Sequence, residues 1–223
     1  MMPSAHARDL IGRGAMTFYF TFGATLKAMS IVAMLSDQDK STAWVLDLSA
    51  SIASLGFLLL IVYTTVTRLP PKNSAAGMEP RVSALIGCFA MVALVAFPRV
   101  EISDPLRAVA NTVTLVGSAL CVWCLRWLGR SFSIMAQARR LVTGGPYGLV
   151  RHPIYACEAI IAAGIILRNP IWPALVIAAI GLSFQYRRIL NEERILRATF
   201  PEYASYAERV PMLLMSRSPS RSS

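Results

Sequence analysis

The sequence predicts an all-α fold: a polytopic membrane protein with about five to six transmembrane helices, a C-terminal helical hairpin and a cytoplasmic amphipathic helix. Its 223 residues are 55% hydrophobic and 15% charged, whereas soluble domains carry about 25% charged residues. The mean hydropathy is +0.53 and the net charge is +10. Because the basic residues separate long apolar runs, we expect the lipid bilayer as the partner of this charge, and no nucleic acid.

Four apolar runs have the roughly 20 residues that a helix needs to cross the hydrocarbon core of a bilayer. They cover residues 16–36, 44–67, 82–98 and 106–128. Two shorter runs follow at 154–168 and 171–186, joined by the turn sequence RNPIWP. This pair is either two short spans or a hairpin that enters the bilayer only partly, and the sequence leaves both interpretations open.

The distribution of basic residues predicts the orientation. With six crossings and both termini inside, sixteen Arg and Lys residues fall in inside segments and four in outside loops. Cytoplasmic loops carry an excess of Arg and Lys. We therefore expect an integral, multi-pass membrane protein whose C-terminus and active site are cytoplasmic. The same count fits four crossings followed by a cytoplasm-facing hairpin.

Residues 187–209, RRILNEERILRATFPEYASYAER, combine apolar residues at helical spacing with Arg and Glu between them. This pattern predicts an amphipathic helix at the cytoplasmic surface, which Pro201 ends or kinks. Tyr203 and Tyr206 could anchor it at the membrane interface.

Motifs of several soluble enzyme classes are absent. The chain has no GxGxxG after a strand pattern, no GxxxxGK[ST], no HExxH and no GxSxG, so a soluble nucleotide-binding domain is not expected. Cys121 and Cys124 form a CxxC, but no second pair and no nearby His accompanies them. We interpret the cysteines as packing residues and expect no metal.

The polar residues gather in two segments, 129–158 and 185–209, which the predicted hairpin would bring together at the membrane–cytosol boundary. In the stretch GPYGLVRHPIYACE, Pro153 suits the first turn of a helix and His152 its N-cap. Tyr155 and Glu158 would share one face of that helix. An ionisable residue such as Glu158 inside an apolar segment suggests a functional site.

Simpler roles remain open for these residues. His152 could be a structural cap, and Glu158 could pair with Arg151 or reach the headgroups. Arg188 and Glu192, four residues apart, could form an exposed ion pair that contributes little to stability.

Two stretches resemble the isoprenylcysteine carboxyl methyltransferase family of integral-membrane methyltransferases. The first is SFSIMAQARRLVTGGPYGLVRHPIYACE and the second, after an apolar hairpin, is RRILNEERILRATFPEYASYAERVP. The motifs LVTxGPY, RHPxY, EExxL, F-x-EYxxY and RVP occur in this order. The resemblance covers residues 129–211 and predicts a catalytic region there. The apolar runs predict about four transmembrane helices over 1–128, and the polar composition of the C-terminus predicts a disordered tail over 212–223.

The resemblance implies a methyltransferase that uses S-adenosyl-L-methionine (AdoMet) and O-methylates the carboxylate of a lipid-like or prenylated small molecule. Arg188 would be catalytic and substrate-binding, Arg151 catalytic and Glu158 substrate-binding. The residues expected to bind the cofactor are Gln137, Leu141, Val142, Tyr147, His152, Pro153, Ile154, Tyr155 and Glu192.

The chemistry of these side chains agrees with that assignment. The Glu192 carboxylate could bind the ammonium of AdoMet, and tyrosine faces attract cations. An ionised carboxylate acceptor requires alignment and exclusion of water but no general base. An amine acceptor would require a base, for which His152 or Glu158 are candidates. The alternatives are a phospholipid N-methyltransferase, an NADPH-dependent membrane reductase, because membrane sterol reductases carry an RHPxY-type segment, and a non-enzymatic membrane protein.

Overall fold

Helices dominate the computed structural model, which describes residues 5–36, 41–94 and 100–213. A two-residue ribbon pairs β1 (Asn73–Ser74) with β2 (Gln137–Ala138) in antiparallel register. The helices are α1 (Ala5–Leu35), α2 (Thr42–Thr67), α3 (Glu79–Ala93), α4 (Asp104–Leu128), α5 (Pro153–Arg168), α6 (Trp172–Thr199) and α7 (Tyr203–Arg209).

Three helical segments among the described residues are long and apolar enough to cross a membrane: Asp9–Leu35, Trp44–Thr67 and Asp104–Ser131. They confirm three of the four long runs that the sequence predicted. The predicted run 82–98 forms α3 as far as Ala93, and residues 95–99 lie outside the described residues. Large apolar side chains such as Phe18 and Trp172 are exposed on the outside of the bundle, which is typical of a surface that faces lipid. The chain is a membrane protein.

The two shorter runs form α5 and the first half of α6, but these helices pack mainly against other helices. Helix α5 lies along α4, and α6 lies along α3. A Cβ atom added to Gly164 would lie 2.3 Å from Thr114 Oγ1, and one added to Gly117 would lie 2.8 Å from Ile161 Cγ1. Glycines therefore allow α4 and α5 to approach closely, as small residues do between membrane helices. Helices α5 and α6 follow each other in the chain and touch, but each has its main packing partner elsewhere in the bundle.

The prediction of a helix over 187–209 that Pro201 ends or kinks is confirmed in part, because both sides of Pro201 are helical. Residues 187–199 continue α6 without a break, and α7 starts only at Tyr203. An apolar helix can become amphipathic without interruption, so the change in composition did not mark a boundary. The helix ends where Pro201 requires it, because a residue before proline favours extended backbone, and Phe200 has φ −119° and ψ 111°.

The largest buried cluster contains the cysteines of α4 and α5. Cys121, Cys124 and Cys157 pack with Leu125 and Ile154, and the sulfur atoms of Cys124 and Cys157 lie 3.9 Å apart. Among the described residues, no group of three or more His, Cys, Asp or Glu side chains is placed to hold a metal ion. The cysteines thus contribute to the packing of the bundle.

Candidate functional site

A cleft of about 770 Å³, measured to its open mouth, lies at the end of the bundle where α5 begins. Its walls come from the loop 129–152, the first turn of α5, the C-terminal half of α6, and α7. The sequence-predicted site residues that line it are Gln137, Leu141, Val142, Tyr147, Arg151, His152, Ile154, Tyr155, Arg188 and Glu192.

Backbone pairing and one glycine hold the loop 129–152 in position. The N–H of Lys72 donates to the carbonyl of Ala138 at 2.8 Å, next to the β1–β2 ribbon. Gly145 has φ +58°, and a Cβ atom there would lie 2.4 Å from Trp127 Cε2. Only glycine meets both conditions easily. The short turn that it begins buries Tyr147 in the wall of the cleft.

Helix α5 begins where the sequence predicted, with Pro153 at the first position and His152 at the N-cap. The imidazole makes no cap hydrogen bond; its Nε2 lies 2.9 Å from Glu193 Oε1. The backbone N–H groups of Arg151 and His152 donate to the carbonyls of Pro211 and Met212 at 2.9 and 3.1 Å. The segment after α7 therefore closes over the start of α5, and His152 is more than a structural cap.

Tyr155, Arg188 and Glu192 form the polar centre of the cleft. The Tyr155 hydroxyl donates to Glu192 Oε1 at 2.5 Å, and Arg188 Nε lies 3.4 Å from the same oxygen. The Arg188 guanidinium stacks over the Tyr155 ring, 5.0 Å from its centroid, and Nη2 donates to the carbonyl of Ser133 at 3.0 Å. The Arg188 side chain is only 7% exposed, so the interpretation of this pair as an exposed surface ion pair is wrong.

Glu193, which the sequence analysis did not single out, organises the wall behind this centre. Its carboxylate accepts from Arg151 Nε at 2.8 Å, His152 Nε2 at 2.9 Å and the Tyr203 hydroxyl at 2.6 Å. Burial alone would raise its pKa, but the hydrogen bonds from His152, Tyr203 and Arg151 lower the pKa of Glu193 to about 2. The EE pair was visible in the sequence, but adjacent helical residues point in different directions, and only packing shows which partners each one meets.

Tyr203 and Tyr206 are buried, so neither anchors a surface helix at the membrane interface. The Tyr206 hydroxyl donates to the carbonyl of Tyr147 at 2.5 Å. Burial and the hydrogen bond to Glu193 raise the pKa of Tyr203 above its usual range, and burial raises that of Tyr206 to about 12. Both hydroxyls therefore stay protonated and act as donors that fix α7 to the cleft.

Several buried polar atoms on the cleft wall lack a hydrogen-bond partner among the described residues. Among them are Ser131 Oγ, Tyr147 Oη and Arg188 Nε. Leaving a buried donor or acceptor unpaired costs about 1–3 kcal/mol. Unpaired groups on the wall of one cleft are therefore suited to a polar ligand that supplies both charge and hydrogen bonds.

Three predicted site residues differ from the others: Arg151 lines the cleft but is bound to protein groups, and Pro153 and Glu158 are not among the residues that line it. The guanidinium of Arg151 is fully engaged, because Nη1 also donates to the carbonyls of Ala207 and Val210 at 2.8 and 2.6 Å. Pro153 starts α5 but does not line the cleft. Glu158 lies one turn deeper along α5 and accepts from Gln185 Nε2 at 3.0 Å, so the suggested pairing of Glu158 with Arg151 is wrong.

Gln137 and the loop residues close the cleft from the side. Gln137 Oε1 accepts from Ser133 Oγ at 2.9 Å and from Arg139 Nη2 at 2.6 Å. Leu141 packs with Ile195, Phe200 and Tyr203. These contacts join the loop to α6 and α7, so a ligand in the cleft would touch segments that are far apart in sequence.

Known proteins match this half of the chain. The profile of the isoprenylcysteine carboxyl methyltransferase (ICMT) family matches residues 109–198. Protein-S-isoprenylcysteine O-methyltransferase B of Arabidopsis thaliana is 36% identical over 108 residues, which is 45% of this chain and 54% of that protein.

Two bacterial relatives also match. The cobalt-zinc-cadmium resistance protein CzcN of Cupriavidus metallidurans is 31% identical over 106 residues, 45% of this chain and 46% of that protein. The nickel-cobalt-cadmium resistance protein NccN of Alcaligenes xylosoxydans xylosoxydans is 29% identical over 112 residues, which is 48% of this chain and 50% of that protein. The chain spans about half the length of the curated relatives it matches.

The apolar helices and the polar cleft at their end define a helical membrane protein with a polar cleft at the boundary of its apolar segments. The ICMT family profile matches residues 109–198, which agrees with the resemblance that the motifs indicated. The matched region begins within α4 and contains the entire start of α5 and the C-terminal half of α6 up to residue 198.

Proposed function

We propose that the protein is an AdoMet-dependent methyltransferase that O-methylates the carboxylate of a lipid-like acceptor at the membrane–cytosol boundary. The observation that carries the proposal is the meeting of Tyr155, Arg188 and Glu192 in one cleft, where unpaired polar atoms line the wall. Tyr155 ends the RHPxY motif, Glu192 begins the EExxL motif, and Arg188 lies four residues before it; all three lie in the region that matches the family.

The cofactor half of the site uses the loop 129–152, the start of α5 and Glu192. AdoMet would supply a methyl group on a positively charged sulfur. Glu192 Oε2 receives no hydrogen bond from a described residue and lies 3.8 Å from His152 Nδ1. That oxygen is free to accept from an ammonium group, and a charge-assisted hydrogen bond is about twice as strong as a neutral one. The ring of Tyr155 and the unpaired hydroxyl of Tyr147 offer further contacts.

The acceptor half of the site uses Arg188. Its Nη2 is held by the carbonyl of Ser133, while Nε has no hydrogen-bond partner among the described residues. Because the Nε edge lies 3.4 Å from Glu192 Oε1, an acceptor carboxylate would meet the guanidinium from the cleft, which Arg188 lines. The new bond forms between a carboxylate oxygen and the methyl carbon, the bond from carbon to sulfur breaks, and no proton must be removed.

The residues behind the cleft would position these groups. Arg151, bound to Glu193 and to two carbonyls of α7 and its C-terminal flank, fixes the wall; we assign it a positioning role. Glu158, beside Gln185 on the membrane side of Arg188, would contact the part of the acceptor closest to the bilayer. Because α5 packs mainly against α4 and α6 mainly against α3, we propose that lipid reaches the cleft between α5 and α6. We also propose that the cleft faces the cytosol.

Two relatives are named for resistance to metals. The described part of this chain has no cluster of His, Cys, Asp or Glu side chains suited to a metal ion, so our proposal contains no metal site. It concerns methyl transfer alone.

Methyl transfer can be tested directly. Protein purified in detergent is incubated with AdoMet carrying a labelled methyl group and with one of three acceptors: an S-farnesylcysteine derivative, a simple fatty acid or phosphatidylethanolamine. We expect a base-labile methyl ester on a lipid acid. A label found only on phosphatidylethanolamine would replace O-methylation by N-methylation, and absence of label from all lipids, with AdoMet bound, would contradict this acceptor class.

A further inference from the structure

Three arginine side chains converge on one carboxylate where α1 and α2 meet the loop 129–152. Asp9 Oδ1 lies 2.8 Å from Arg68 Nη2 and 3.3 Å from Arg139 Nη2, and Asp9 Oδ2 lies 3.4 Å from Arg13 Nη2. We call these four residues the Asp9 cluster. The proposed methyl transfer assigns no role to Asp9, Arg13 or Arg68, and Arg139 joins the cluster to the wall of the cleft.

The positive charge of the Asp9 cluster exceeds its negative charge. Asp9 is the one carboxylate within 4.0 Å of the three guanidinium groups among the described residues. The Arg139 side chain is 0% exposed and that of Arg68 is 7% exposed. Burial, together with the neighbouring Arg68, lowers the pKa of Arg139 to about 10. Buried charge is costly unless it is paired, so the cluster lacks an anion.

The donors for such an anion are already present. The Nε atoms of Arg13, Arg68 and Arg139 and the Nη1 atom of Arg139 are buried and have no hydrogen-bond partner among the described residues. Guanidinium groups bind phosphate oxygens in a planar, often bidentate geometry. Arg13, whose side chain is 30% exposed, leaves one side of the cluster open.

The position of the Asp9 cluster favours a phospholipid as the source of the phosphate. The apolar segment of α1 begins at Asp9, and that of α2 ends at Thr67, next to Arg68. The cluster therefore lies at the ends of two membrane-crossing segments, at the depth of the headgroups. Anionic headgroups attract basic side chains at this depth.

We propose that Arg13, Arg68 and Arg139 form a binding site for a phosphate-bearing anion, with the headgroup of an anionic phospholipid as the favoured ligand. The bound phosphate would neutralise the excess charge and tie α1 and α2 to the loop that forms the cleft. This site is independent of the proposed methyl transfer and would exist in a protein that did not bind AdoMet.

The test measures the thermal unfolding midpoint of the full chain in detergent while one anion is titrated. The probes are dioctanoyl phosphatidylglycerol, dioctanoyl phosphatidylcholine and inorganic phosphate. The variants are R13Q and R68Q, and the matched control is R126Q, which removes an exposed arginine near the end of α4. Because Arg13 is the more exposed residue of the cluster, R13Q keeps the test valid if R68Q does not fold.

We expect phosphatidylglycerol to raise the midpoint in a saturable manner, with phosphatidylcholine much weaker. Loss of a charge-assisted contact should raise the half-saturating concentration of phosphatidylglycerol by about tenfold in R13Q and R68Q. The control R126Q should behave as the wild type. Stabilisation by inorganic phosphate alone, lost in the same variants, would uphold the site and identify free phosphate as its ligand. No response to any anion, or an equal response in R13Q, R68Q and the wild type, would overturn the proposal.

Discussion

The hydroxyl of Tyr155 on α5 donates to Oε1 of Glu192 on α6 at 2.5 Å. The backbones of these two helices make few contacts with each other. These residues belong to the two segments that resemble the ICMT family, 37 positions apart in the chain. The contact fixes one carboxylate oxygen, and the other receives no hydrogen bond from a described residue. It thereby defines which part of Glu192 can receive a ligand.

Removing the Tyr155 hydroxyl should weaken cofactor binding without abolishing it. In Y155F the ring remains beneath Arg188, but Oε1 of Glu192 loses its shortest donor. A hydrogen bond to a charged group contributes about 1.5–3 kcal/mol, so we expect the Kd for AdoMet to rise about tenfold or more. Calorimetry on the purified variant measures this. An unchanged Kd would show that Tyr155 does not position Glu192 for the ligand.

Replacing Arg188 by lysine should separate acceptor binding from cofactor binding. Lysine keeps the charge but cannot both donate to the carbonyl of Ser133 and present a second N–H edge. We expect R188K to bind AdoMet with a Kd within about threefold of that of the wild type, since the charge beside Glu192 remains. We expect its kcat/KM for the acceptor to fall by about 100-fold. Steady-state kinetics with variable acceptor concentration measures this kcat/KM. Wild-type kinetics in R188K would contradict the assigned role.

Loss of the Glu193 charge should destabilise the folded protein. E193Q leaves the buried guanidinium of Arg151 without its carboxylate, and breaking a buried pair in this way costs about 3–5 kcal/mol. The exposed Glu202, on the same end of the molecule, provides the control, and E202Q should change stability by less than about 0.5 kcal/mol. Denaturant unfolding in mixed micelles compares the two. Equal stability of E193Q and E202Q would show that the Glu193 network does not hold the site together.

The same network should make stability depend on pH in the acid range. The folded pKa of Glu193 is about 2, below its usual value of 4.5. A lowered folded pKa contributes stability that is present above pH 4.5 and is lost as the pH falls toward 2. We therefore expect the stability difference between the wild type and E193Q to shrink between pH 5 and pH 2.5. A difference that stays constant over this range would contradict the assigned cause.

Close packing between α4 and α5 should tolerate no methyl group at Gly164. A Cβ atom there would lie 2.3 Å from Thr114 Oγ1 and 2.9 Å from Thr114 N, so G164A must separate the helices. Overpacking of this kind costs about 1–3 kcal/mol. At Gly56, on α2, an added Cβ meets nothing within 4 Å, and G56A is the control. Thermal unfolding should show a lowered midpoint for G164A alone; equal midpoints would place the α4–α5 contact in doubt.

The sequence was informative where local rules decide the structure. Pro153 and His152 fixed the start of α5, and Pro201 fixed the end of α6, because proline restricts the backbone at its own and the preceding position. Apolar length located three helical segments that are long and apolar enough to cross a membrane. The motifs selected ten residues that line one cleft, although they lie in separate elements.

Features that depend on packing were not predictable. Residues 187–199 have the composition of a surface helix, but one of their faces packs against α3, where Asn191 Nδ2 donates to Glu79 Oε2 at 2.9 Å. The sequence does not distinguish Glu193 from its neighbour Glu192, because the donors to Glu193 come largely from other elements. The Asp9 cluster joins residues up to 130 positions apart, and no local pattern marks such a contact. The predicted tail over 212–223 lies outside the described residues from position 214 onward.

The most direct test of the account is calorimetric titration of AdoMet into the detergent-purified wild type, E192A and Y155A, with R126Q as a folded control. We expect saturable binding by the wild type and R126Q, and binding weakened by about 10-fold or more in both cleft variants. Folded wild-type protein that does not bind AdoMet, or binding that E192A and Y155A leave unchanged, would contradict the assignment of this cleft to the cofactor.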